Sequence, residues 1–114
     1  MPTSKAGTVV RAPFPYTDRE THQWRPAVVV SDGGVGLGDR LGWVLMVTSA
    51  ENRVWPGDVA LTEDFRSAGL PAASLIRTAK IATVELDRLE PIGRLPDAVH
   101  DAVKVQLRER LSLD

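Results

Sequence analysis

Short apolar and β-branched runs, each bounded by a turn signal, fill most of this chain and favour strands over helices. Thr8-Val9-Val10-Arg11-Ala12 stops at Pro13, and Pro26-Ala27-Val28-Val29-Val30 opens on a proline. WVLMVT, residues 43–48, is apolar enough for a buried strand. Asp58-Val59-Ala60-Leu61 follows the turn Trp55-Pro56-Gly57-Asp58. SLIRTAKIATV, residues 74–84, alternates: Leu75, Arg77, Ala79 and Ile81 share one face, and Ile76, Thr78, Lys80 and Ala82 the other, unless a bulge near Arg77 breaks the period. The Gly-rich stretch SDGGVGLGDR, residues 31–40, lacks the Gly-Lys-Ser/Thr ending of a phosphate-binding loop and reads as a hairpin connection.

Two segments read as helical. TEDFRSA, residues 62–68, pairs a threonine cap with Glu63 and Asp64 in its first turn, and Gly69 follows. Residues 96–111 carry Val99, Val103, Leu107 and Leu111 at four-residue spacing, which makes one apolar stripe. Five or more strands with one terminal helix predict a small, strongly curved antiparallel sheet or barrel, mainly β with α, in a single domain over residues 1–114.

The charge balance narrows function. Fourteen Lys and Arg against fifteen Asp and Glu leave a formal charge of -1, so no global basic field announces nucleic acid. Eleven of the fourteen cations are arginine, however, and a local arginine pair binds phosphate on a neutral protein. The chain has no cysteine, which excludes disulfides and thiolate metal sites. With no apolar N-terminal stretch and no bilayer-length run, the expectation is a cytoplasmic protein without membrane contact.

The order of motifs is more specific than any one of them. GTVVRAPFPYTD, RPAVVVSD, VLMVTSA, PGDVAL, AGLPAASLIRTAKIATVE and IGRL follow in succession from Gly7 to Leu95, and the likeness they carry extends to about Leu107. In this order they resemble the MazF/PemK family of toxins from type II toxin–antitoxin pairs. The resemblance implies a small twisted SH3-like β-barrel of the MazF/PemK/CcdB type with a C-terminal helix. It also implies a homodimer, a cognate antitoxin as partner, and metal-independent, cofactor-free endoribonuclease activity on single-stranded RNA at short sequences.

Residue by residue, Arg25 in WRPAVV matches the family's Arg-Pro arginine, and Thr48 in VTSA matches its catalytic Thr or Ser. Arg77 in SLIRTAK matches a second arginine of the PemK branch, a further phosphate contact. That branch can place an acidic residue two positions on, as proposed base, where this chain has Ala79. A guanidinium holds its charge and presents a planar fork of donors, so Arg25 suits stabilisation of the phosphorane and not proton removal. The hydroxyls of Thr48 and Ser49 suit hydrogen bonding to the scissile phosphate or 2′-OH. Asp18, Glu20 and His22, in the first loop, are the candidates for the base, and His22 has the intrinsic acidity for it. The loop over residues 17–24 is expected to cover the RNA groove, where Trp24 either stacks on an unpaired base or packs at the barrel edge or the dimer contact. Trp43 and Trp55 read as core and turn anchors, and His100, in the terminal helix, has no part in the chemistry. No HxxxH pair or carboxylate cluster suggests a metal site. Two other readings share the fold: a toxin-like barrel that binds a partner without chemistry, and a CcdB-like poison of DNA gyrase.

Overall fold

Strand formation follows the apolar runs, and the computed structural model describes residues 5–15 and 22–113. In chain order the elements are β1 (Thr8–Pro15), β2 (His22–Val29), β3 (Leu41–Ser49), β4 (Val59–Leu61), β5 (Ser74–Glu85), β6 (Glu90–Arg94) and α1 (Asp97–Arg110). All six strands belong to one antiparallel sheet of order β4-β5-β3-β2-β1-β6, curled into a half-barrel. β6 is a strand that the sequence pattern left without an assignment.

The sheet is apolar on both faces, which is why its strands read as continuous runs rather than as alternation. Val9, Val28, Leu45, Val47, Leu61 and Ile76 form one buried cluster, joined by Val103 of α1. Their chain neighbours Val10, Val29 and Val44 turn to the other face and pack with Ala12, Ala27 and Leu89. Val103 is fully buried and anchors the helix, a contribution of about 1.5–3 kcal/mol. Val99 and Leu107 pack beside it. The predicted stripe ends there: Leu111 caps the helix and is 56% exposed.

The connection over residues 62–73 is not helical. Asp64 takes a positive φ of 57°, a left-handed residue that stops a helix at its first turn. Wide turns replace it, with Ala68 N donating to Asp64 O at 3.3 Å and Leu70 N to Phe65 O at 2.9 Å. The connection then crosses to the far edge of the sheet. At Gly69 (φ 84°) an added Cβ would collide with the Ile92 carbonyl oxygen, and at Gly93 with that of Ala68. Backbone thus meets backbone there, and the connection covers part of the β6 edge that would otherwise stand open.

Two facings depart from the simple period. β5 carries a bulge: Met46 pairs with Arg77 but Leu45 with Ile81, so residues 78–80 fall outside the ladder. Residues 74–78 are all buried and 79–81 all exposed, in place of the expected alternation. Trp43 is 47% exposed beside buried Val44, so it is not a core anchor. Residues 31–40 form the expected hairpin connection, pinned by Trp43 N donating to Ser31 Oγ at 3.1 Å. Among the described residues no helix is long and apolar enough to cross a membrane.

Candidate active site

β2 and β3 bring Arg25 and Thr48 together. Their register pairs Ala27 with Met46, Val28 with Leu45 and Val29 with Val44. The ladder ends there; by strand alternation Arg25 falls on the face of Ala27 and Thr48 on that of Met46, which is one face of the sheet. Both line a pocket of about 160 Å³, with Ser49 at its rim and residues 70–74 as its far wall. Arg25 is the fourth residue of β2 and pairs with Ala12 of β1, so the cation stands on a rigid strand rather than where the loop ends.

The turn after β3 is built from hydrogen bonds. Ala50 N donates to Ala73 O at 3.0 Å, and Asn52 N to Ser49 O at 3.0 Å. Glu51 N donates to Ser49 Oγ at 3.1 Å. The Asn52 side chain returns to the strand, where its Nδ2 donates to Thr48 Oγ1 at 2.6 Å.

Arg77 lies on the same sheet face, opposite Met46, but not at the pocket wall. Its guanidinium donates from Nη1 to Asp58 Oδ2 at 3.2 Å and from Nη2 to Arg53 O at 2.9 Å. It stacks on Trp55, 4.0 Å from the ring centroid. The Arg77 and Asp58 side chains are 8% and 1% exposed. Asp58 Oδ2 also accepts from Trp55 N at 2.8 Å, and Thr78 Oγ1 donates to Gly57 O at 2.7 Å. Trp55 is therefore a turn anchor, as expected, and Arg77 holds residues 53–58 beside the pocket where a second phosphate contact was expected. Ala79, where the PemK branch can carry an acid, sits in the bulge and faces solvent.

The remaining sequence candidates distribute as follows. Trp24 belongs to β2 rather than to a loop, and strand alternation turns it to the face opposite Arg25. It is 42% exposed and lies 5.6 Å, ring centroid to guanidinium, from Arg11. Asp18 and Glu20 lie outside the described residues, and His22 is described only as the first backbone position of β2. His100 is on α1 beside Gly7, away from the pocket. Burial lowers its pKa, helped by the charges of Lys104 and Arg94 and opposed by Asp101 and Asp97. Sequence reasoning missed Asn52, although a short polar side chain four residues after a strand-end threonine is the signal for a turn that bonds back on itself.

Comparison with known proteins supplies the context. A family profile described as "PemK-like, MazF-like toxin of type II toxin-antitoxin system" matches residues 5–111. No curated protein matches the sequence. Among solved structures, MazF from Deinococcus radiodurans superposes with a TM-score of 0.72 at 22% identity, covering 99% of this chain and 100% of that one. An endoribonuclease in complex with its cognate antitoxin, from a mycobacterial species, gives 0.73 at 19% identity, covering 100% and 98%. Mycobacterium tuberculosis toxin MazF-mt6 gives 0.71 at 18% identity, covering 94% and 98%.

Proposed function

The chain belongs to the PemK-like, MazF-like toxin family of type II toxin–antitoxin systems, and on that premise we propose that it is a cytoplasmic, single-domain endoribonuclease that cuts single-stranded RNA without a metal. The observation that carries this reading is the pocket that Arg25 and Thr48 both line. In the reaction, the 2′ oxygen attacks the adjacent phosphorus and gives up its proton. The bond from phosphorus to the 5′ oxygen breaks, and that oxygen gains a proton. The products are a 2′,3′-cyclic phosphate and a 5′-hydroxyl.

Arg25 stabilises the charge that accumulates on the non-bridging oxygens, and Thr48 hydrogen-bonds the same phosphate. Ser49, at the pocket rim, extends the contact to the neighbouring nucleotide. Arg77 acts one step back, by holding residues 53–58. Asp18, Glu20 and His22, the last of them the first position of β2, supply the candidates for proton transfer. The working form is a homodimer, and a cognate antitoxin is the partner that restrains it, in line with the antitoxin complex named among the structural relatives.

The test is cleavage of a long single-stranded RNA in EDTA by wild type, Arg25→Ala and Thr48→Ala, with the ends mapped. Cleavage at a short motif by wild type, reduced about 10²–10³-fold in Arg25→Ala, supports the reading. Equal cleavage by all three overturns it. The second reading, a toxin-like barrel that binds without cutting, is favoured by Ala79 and by the burial of Arg77. Folded wild type that cuts none of several RNAs supports that one instead.

A further inference from the structure

We propose that Asn52 is a positioning residue for this reaction: it fixes the hydroxyl of Thr48 so that Thr48 meets RNA as a hydrogen-bond donor. The inference rests on the ribonuclease reading above. A threonine hydroxyl has one hydrogen to give and two lone pairs to receive. Asn52 Nδ2 fills one lone pair of Thr48 Oγ1 at 2.6 Å. An amide nitrogen of this kind is a donor only, so the Thr48 hydrogen cannot return along the same line. It turns away from Asn52, and the pocket shared with Arg25 lies open to it.

The position of Asn52 is itself built. Its own backbone N–H is bonded to Ser49 O at 3.0 Å. On its C-terminal side, the Arg53 carbonyl accepts from the buried Arg77 guanidinium at 2.9 Å. The segment is therefore fastened at both flanks of Asn52, and the amide reaches Thr48 from a fixed base. This gives the buried Arg77 cluster a route to the chemistry that needs no contact with phosphate: Arg77 holds Arg53, and the adjacent Asn52 orients Thr48.

A double-mutant cycle on kcat for RNA cleavage, with KM measured in parallel, tests the assignment. Asn52→Ala should lower kcat about tenfold, the scale of one hydrogen bond, and leave KM within about twofold. Asn52→Asp should lower kcat further than Asn52→Ala, because a carboxylate accepts only and draws the Thr48 hydrogen to itself. In a Thr48→Ala background, Asn52→Ala should change kcat by less than about twofold, since the residue it orients is gone. Additive losses, or an Asn52→Ala enzyme with wild-type kcat, overturn the inference while the ribonuclease reading stands. An inactive wild type overturns both. A second readout is independent of cleavage. The Asn52 side-chain NH₂ resonances should shift in Thr48→Val relative to wild type, and unmoved resonances overturn the hydrogen bond.

Discussion

Replacing Arg77 with methionine keeps an unbranched apolar side chain but removes the guanidinium stacked on Trp55 and strands the Asp58 carboxylate. That carboxylate is 1% exposed, and its Oδ2 meets the Arg77 guanidinium at 3.2 Å. Breaking such a buried pair from one side costs about 3–5 kcal/mol, because the remaining charge keeps its desolvation penalty without its partner. The bond from Arg77 to Arg53 O is lost as well, a further ~1 kcal/mol. The expected total is about 4–6 kcal/mol, against a stability of about 5–15 kcal/mol for a typical domain. Asp58→Ala should cost nearly as much. The double variant Arg77→Met/Asp58→Ala should cost clearly less than the sum, since no charge is left buried. Urea unfolding followed by circular dichroism, with a common m-value, measures all three. Losses of about 1 kcal/mol or less that simply add would refute the reasoning. They would mean that the pair is solvated and that Arg77 is free to meet phosphate directly.

Other outcomes follow from single positions. Gly69→Ala should destabilise by about 2–4 kcal/mol in the same assay, from the positive φ and the collision with the Ile92 carbonyl. His100 has a lowered pKa in the fold, so the unfolded chain binds more protons between that value and about 6.5. Stability should therefore fall as pH drops through that window, and His100→Gln should flatten the dependence in denaturant titrations across it. Arg25→Lys keeps a charge but loses the planar fork, and kcat for RNA cleavage should drop at least about tenfold.

The fold was legible wherever local pattern decides it. The runs at 8–12, 26–30, 43–48, 58–61 and 74–84 all became strands because apolar residues on both faces of a curled sheet leave an unbroken signature. The terminal helix was legible from Val99, Val103 and Leu107. What escaped depends on distant partners. β6 contains Pro91 and Gly93 and reads as a loop until β1 pairs with it. The cap signals at 62–68 are genuine, yet Asp64 turns left-handed and the connection runs to meet Ile92.

The site divides in the same way. Arg25 and Thr48 were visible as motif residues, and the fold sets both at one pocket. The burial of Arg77 was not visible, because it depends on Asp58 and Trp55 folding over a bulge that begins at Thr78. The facing of Trp24 depended on where β2 begins, which is three residues before Arg25.

The central claim is that this pocket cuts RNA through the 2′-hydroxyl, with Arg25 and Thr48 on the phosphate. The most direct measurement uses a short RNA containing one mapped cleavage site and a twin with a single 2′-deoxy nucleotide on the 5′ side of the scissile bond. Both are incubated with the protein in EDTA and the products weighed by mass spectrometry. The account predicts a 2′,3′-cyclic phosphate from the first and no cleavage of the second. Equal cleavage of both, or a 5′-phosphate product, would contradict it.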